Sequence, residues 1–193
     1  MIGRLRGKPL PGSRGTLLLD VGGVGYKVLT TPELRVEILK RTDEVSLSTY
    51  LAVRDDALEL YGFRNDEELS FFEQLLSVSG IGPKSALTLL AVGDLSMLRK
   101  AIGNGDVSYL TKVSGIGKKT AERIIVELRD KIWAGGSAEE VAGLRQDVDV
   151  LEALKSLGYS GKEAREAVMK IGREGMNTNE KLKAALKELG VGV

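Results

Sequence analysis

The residues best suited to chemistry in this sequence form a glycine turn, followed by lysines, that occurs twice. Leu75-Leu76-Ser77-Val78-Ser79-Gly80-Ile81-Gly82-Pro83-Lys84-Ser85-Ala86 recurs 35 positions later as Leu110-Thr111-Lys112-Val113-Ser114-Gly115-Ile116-Gly117-Lys118-Lys119-Thr120-Ala121. Between residues 75–91 and 110–126, eight of seventeen positions are identical, so the segment is an internal duplication. Each copy reads as helix, Gly-Ile-Gly, helix, with the isoleucine directed inward. Glycine tolerates positive φ and close backbone approach, so the turn can aim amides at a ligand oxygen. The turn also feeds a helix N-terminus, whose unpaired N–H groups and dipole favour an anion. Phosphate fits this chemistry.

Lys84 and Lys119 hold equivalent places in the two copies, while Lys112, Lys118 and Arg123 add charge around the second alone. The second turn is therefore expected to bind harder. Pro83 supplies a helix-compatible φ but no N–H, so the first copy loses a donor where Lys118 keeps one. Nothing here reads a base edge. Amides and lysines on phosphates give affinity without sequence information, and a steep salt dependence. A single Gly-x-Gly is more often a plain turn; two copies followed by basic residues favour the phosphate reading. A nucleotide-binding P-loop ending at Gly117-Lys118 would need Gly at Lys112 and Ser or Thr at Lys119. A dinucleotide fingerprint would need glycine at Ser85 or Thr120, after a strand.

The chain has 193 residues with no Cys and no His. Thiol nucleophiles, disulfides, Cys/His zinc sites and Ser-His-Asp triads are thereby excluded, and no cofactor is expected. Asp55, Asp56 and Glu59 form the one tight acidic group in the first third. Adjacent carboxylates beside phosphates would repel them and hold strands apart; the plain alternative is a solvated turn. A Mg²⁺-dependent nuclease or lyase using these carboxylates is a second functional reading. A third is a single-strand binder that stacks bases on Tyr26, Tyr50, Tyr61 and Phe63.

The elements that carry these groups follow from periodicity. Alternation over 45–53 places Val45, Leu47, Leu51 and Val53 on one face of a strand. Shorter β-type runs occupy 2–6, 16–21, 26–29 and 58–63, separated by Pro9, Pro11, Gly12, Gly15 and the Gly22-Gly23-Val24-Gly25 turn. Five short strands favour a closed barrel, OB-type before SH3-like. Helical periodicity starts at Asn65, an N-cap with Glu68 as its partner, and continues at 83–92, 95–102, 107–113 and 118–133. Small and polar residues then suggest a flexible linker over 135–147. Three short helices, 148–157, 161–171 behind a Ser160/Glu163 capping box, and 178–189, make a compact last module. The expected organisation is α+β and multidomain: barrel 1–63, tandem helix-hairpin-helix 64–134, linker 135–147, three-helix module 148–193.

The net charge is +1, from 28 basic and 27 acidic residues, so partners must be sought in local patches. No apolar run approaches the ~18 residues of a membrane span, and the start Met1-Ile2-Gly3-Arg4-Leu5-Arg6 lacks a secretory core. A soluble, cytoplasmic protein away from membranes is expected.

Several blocks resemble one family. Met1-Ile2-Gly3-Arg4-Leu5-Arg6-Gly7, Val21-Gly22-Gly23-Val24-Gly25-Tyr26, Val53-Arg54-Asp55-Asp56-Ala57, Leu60-Tyr61-Gly62-Phe63 and Gly115-Ile116-Gly117-Lys118-Lys119-Thr120-Ala121-Glu122-Arg123 are similar to the RuvA family, the Holliday-junction-binding subunits of a bacterial branch-migration complex. The resemblance spans essentially the whole chain, and the last module matches mainly in pattern and position. It implies a non-catalytic homotetramer that holds a four-way DNA junction open and square, with one or two tetramers per junction. By the resemblance, Gly80, Gly82, Lys84, Gly115, Gly117, Lys118, Lys119 and Arg123 would contact phosphates. Asp55 and Asp56 would form an acidic pin, where many relatives carry Glu then Asp. The last module would resemble a UBA-like unit that engages the RuvB ATPase, with Leu157, Gly158 and Tyr159 at its first turn. The RuvC resolvase is a further partner that the resemblance admits.

Overall fold

The computed structural model describes residues 1–13, 16–135, 138–171 and 176–190. The chain divides into two compact units, Met1–Leu98 with Val113–Thr120, and Arg99–Lys112 with Ala121–Val193.

The first unit is built on five strands, β1 (Arg4–Pro11), β2 (Leu17–Val21), β3 (Val24–Leu29), β4 (Val45–Val53) and β5 (Leu58–Phe63). They close a barrel in the order β1-β2-β3-β5-β4, with β3 and β5 parallel and every other pair antiparallel. This is the expected OB-like barrel. Strand β1 runs past the expected end at Arg6, through Pro9, and stops at Pro11. Residues 4–7 pair with β4 and residues 8–11 with β2, so the prolines lie where the strand has a single neighbour and a missing N–H is tolerated. Gly62 is required by closure: a Cβ there would lie 2.5 Å from Val28 Cγ1. Gly22 and Gly23, at φ 60° and 87°, form the expected tight turn between β2 and β3, whereas Val24 and Gly25, expected in that turn, belong to β3.

A helix absent from the sequence reading, α1 (Pro32–Leu39), caps the barrel. Thr31 accepts a hydrogen bond from the Leu34 N–H, Pro32 sets the first helical φ, and Leu34 and Ile38 join the barrel core of Leu5, Leu17, Leu19, Val28, Val45, Leu47 and Leu60. Burying each of those two side chains contributes about 1.5–3 kcal/mol relative to leaving it in water. The expected face of β4 holds for Val45 and Leu47 and fails at Val53, which is 71% exposed. In mid-strand both faces are covered: Ser48 and Thr49 are buried, Thr49 donating to the Ile2 carbonyl and Ser48 to Asp66.

Helix α2 (Asp66–Leu76) starts at Asn65, whose side chain accepts from the Glu68 N–H. The Glu68 carboxylate returns one residue further back, to the Arg64 N–H. Phe72 packs its ring against Tyr50, Tyr61 and Phe63, with centroids 5.4, 5.4 and 4.7 Å apart, which joins α2 to the barrel wall. Helix α3 (Pro83–Leu90) packs on α2, and α4 (Leu95–Gly103) follows.

The second unit contains α5 (Val107–Leu110), most of α6 (Lys118–Gly135), α7 (Ala138–Ser156), α8 (Gly161–Ile171) and α9 (Thr178–Glu188). Val150, Leu151, Leu154, Ala164, Ala167, Val168 and Ala185 form the core of the last three. The Ser160/Glu163 capping box is present, and α9 has its own in Asn177 and Glu180. The expected linker is corrected over 138–147, which is helical and opens α7; residues 136–137 of it lie outside the described residues. Asp147 explains the extension, because its carboxylate meets Lys181 of α9 at 2.6 Å.

Candidate nucleic-acid interface

The two glycine turns have one geometry. Gly80 and Gly115 take φ of 90° and 87°, and the carbonyls of Val78 and Val113 each accept from the isoleucine N–H three residues on, at 3.1 Å. Ile81 and Ile116 are buried, as are the equivalent pairs Leu75/Leu110, Val78/Val113, Ala86/Ala121 and Leu89/Ile124. The duplication is thus one packing solution used twice: the isoleucine anchors the turn while its flanking glycines face solvent. Gly82 and Gly117 are exposed, and a Cβ on either would meet nothing within 4 Å.

The helices that leave these turns differ in charge from α2. The first turn of α2 carries Asp66, Glu67 and Glu68, which complement its dipole, whereas α3 and α6 carry no acid there. Gly82, the N-cap of α3, makes no side-chain cap bond. Helix α6 opens with Lys118 and Lys119, a placement that costs a free helix about 0.3–1 kcal/mol and is reversed by an incoming anion. Lys118, Lys119 and Arg123 are all exposed. Lys112 lies over the Tyr109 ring at 5.8 Å.

Lys84 is engaged in a way the sequence did not show. Its Nζ lies 3.2 Å from Glu59 Oε1, and the other Glu59 oxygen accepts from the Tyr61 hydroxyl at 2.9 Å. Arg54 Nη2 approaches the same carboxylate at 3.8 Å. The Tyr61 hydrogen bond, then Lys84 and Arg54, hold the Glu59 carboxyl below its ordinary range against the opposing effect of burial. Burial, and next Glu59, push the Tyr61 hydroxyl above its ordinary value. Alternation along β5 could have indicated that Glu59 and Tyr61 share a face; no local pattern points to Lys84.

Asp55 and Asp56 stand exposed at the tip of the β4–β5 hairpin, which is closed by the Arg54 N–H to the Ala57 carbonyl at 2.9 Å. Glu59, the third member of the acidic group, is committed to cations. Among the described residues no three acidic side chains are grouped to hold a metal ion. Tyr61 and Phe63 are fully buried beside Phe72, which removes them as stacking platforms for bases. In the last module Gly158, at φ 96°, makes the turn after α7; Leu157 is 59% exposed and Tyr159 packs on the module core. Among the described residues no helix is long and apolar enough to cross a membrane.

A closed OB-like barrel followed by two identical glycine turns with acid-free helix starts defines a class, barrel proteins with a tandem helix-hairpin-helix domain. Family comparison agrees along the chain: residues 1–62 match the RuvA N terminal domain, 72–130 the SAM-like helix-hairpin-helix tandem, and 148–190 the RuvA C-terminal domain. Among curated relatives, the Holliday junction branch migration complex subunit RuvA of Mycobacterium ulcerans is 43% identical over 195 residues, covering 98% of each chain. The protein of that name from Mycolicibacterium smegmatis is 44% identical over 195 residues, covering 98% of this chain and 99% of its own. That of Mycobacterium leprae is 39% identical over 201 residues, covering 98% of each. The chain belongs to the RuvA family.

Proposed function

We propose that this protein binds four-way DNA junctions by shape rather than sequence, as a non-catalytic subunit of a branch-migration complex. The observation that carries the reading is the shared geometry of the turns at Gly80–Gly82 and Gly115–Gly117, each opening a helix without an acid in its first turn. Both turns offer backbone amides and lysines, which suit phosphates and discriminate no base. The names of the relatives support junction binding and branch migration as the setting.

In this reading the barrel, residues 1–63, organises a homotetramer, one or two per junction, and residues 64–134 grip the arms. Gly80, Gly82, Lys84, Gly115, Gly117, Lys118, Lys119 and Arg123 face phosphates, and affinity sums over many weak contacts. Asp55 and Asp56, exposed on a hairpin tip, stand where strands cross and repel them locally. The module 148–193 engages the RuvB ATPase through the surface around Leu157, Gly158 and Tyr159, and RuvC joins the same assembly. The complex works in the cytoplasm.

A gel-shift titration of the purified chain tests this, comparing a four-way junction with a linear duplex built from the same arm sequences at several salt concentrations. Tighter binding to the junction, with affinity falling steeply in salt, is expected. Equal affinity for both shapes, or binding insensitive to salt, overturns the reading.

A further inference from the structure

The Glu59 carboxylate is a fixed anion paired with Lys84, the lysine that follows the first of the two turns. It sits on β5, its side chain is only 20% exposed, and the buried Tyr61 hydroxyl holds one of its oxygens at 2.9 Å. Its other oxygen takes Lys84, which extends from the first turn of α3 and remains 72% exposed. A lysine on that helix start has two competing anions: this carboxylate and any phosphate arriving at the glycine turn. Lys119, the equivalent residue of the second copy, is exposed at the start of α6.

We infer that Glu59 is a specificity-determining residue that competes with DNA phosphate for Lys84, so that the first turn grips weakly until several others are engaged. The inference rests on the DNA-binding reading above. A phosphate that meets Lys84 must share it with Glu59, which lowers the charge that the first turn contributes and leaves the second turn dominant. A weak first grip disfavours linear duplex, which engages few turns at once, more than a junction that engages the whole assembly. A glutamate is charged at neutral pH, and the Tyr61 hydrogen bond and Lys84 favour that form further.

The test uses the full chain with labelled linear duplex and four-way junction, titrated at several salt concentrations. Glu59→Gln keeps an oxygen for Tyr61 and removes the charge. It is expected to tighten duplex binding about twofold to fivefold, the scale of one exposed ion pair, and to narrow the preference for the junction. The log–log salt slope should steepen by about one for each lysine released. Lys84→Ala should abolish that gain when added to Glu59→Gln. In the otherwise unaltered chain, Lys84→Gln should cost less than Lys119→Gln, a comparison that leaves the barrel untouched. Unchanged or weaker duplex binding by Glu59→Gln, a gain that survives loss of Lys84, or equal costs at Lys84 and Lys119 overturns the inference. Failure of the parent chain to prefer the junction overturns the DNA-binding reading instead.

Discussion

Lys181 of α9 places its Nζ 2.6 Å from Asp147 Oδ1 of α7, with the two side chains only 13% and 12% exposed. The same ammonium lies 3.5 Å from the Gly143 carbonyl, so one lysine holds two successive turns of α7 against α9. A helical module of this size buries little surface and is marginal on its own. Replacing Lys181 with Met, or Asp147 with Asn, leaves a partner charge in a poorly hydrated place, which costs on the order of 3 kcal/mol. Thermal or denaturant unfolding followed by probes on α7 and α9 should show the last module melting first in either variant. Replacing both together with apolar residues should recover most of the loss; full stability in the single variants would show that the pair holds nothing.

The two glycines within a turn separate folding from binding. Gly115 sits at φ 87°, where a side chain costs about 1–2 kcal/mol, whereas Gly117 has no such φ and open space beyond its Cα. Gly115→Ala should therefore lower both the melting temperature and DNA affinity. Gly117→Ala should melt with the parent and still bind DNA more weakly, because its methyl stands where a phosphate would meet the amides. Parent-like DNA binding by Gly117→Ala would mean that the turn is only a turn.

Sequence was most informative where a local rule and tertiary packing agree. The strand over 45–53, the hairpin at Gly22-Gly23, the helix after Ser160 and the repeated Gly-Ile-Gly turns each announce themselves within a few residues. Helix α1 was hidden although Thr31-Pro32-Glu33 is a sound start signal, because Val36, half exposed among Leu34, Ile38 and Leu39, blurs the apolar stripe. The early start of α7 was masked by Gly135-Gly136-Ser137, and the lysine that supports it lies 34 residues beyond Asp147. Lys84 read as a plain phosphate ligand because its partner, Glu59, belongs to the barrel. In each miss the deciding contact is distant in sequence, where spacing carries no signal.

Arg64 ties α1 to α2, donating to Glu37 at 2.7 Å and to Glu68 at 2.9 Å. The Arg64 hydrogen bond, more than the charge itself, holds the Glu37 carboxyl below its ordinary range, and burial opposes it only partly. A carboxyl whose folded value is depressed stabilises fully above its unfolded value, about pH 4.3, and loses that contribution as pH falls through the folded value. Glu37→Gln should cost less than about 1 kcal/mol at pH 7, as befits a pair that is half exposed. The gap between variant and parent, read from denaturant melts, should close below pH 4. A gap constant with pH would assign the effect to packing.

Asp55 and Asp56 sit on a hairpin closed by a backbone bond from the Arg54 N–H to the Ala57 carbonyl, and both side chains are exposed. Changing both to Asn removes two charges from the tip and no contact from the barrel, so the melting temperature should stay within a degree or two of the parent. In the proposed reading those charges oppose phosphates near crossing strands, so their loss should hold or tighten junction binding. The strands would then lie closer at the crossover, so motor-driven branch migration should change even as binding improves. A gel shift paired with a strand-exchange assay separates these effects. Weaker junction binding by the folded variant would show that the carboxylates contact DNA favourably and are not a repulsive pin.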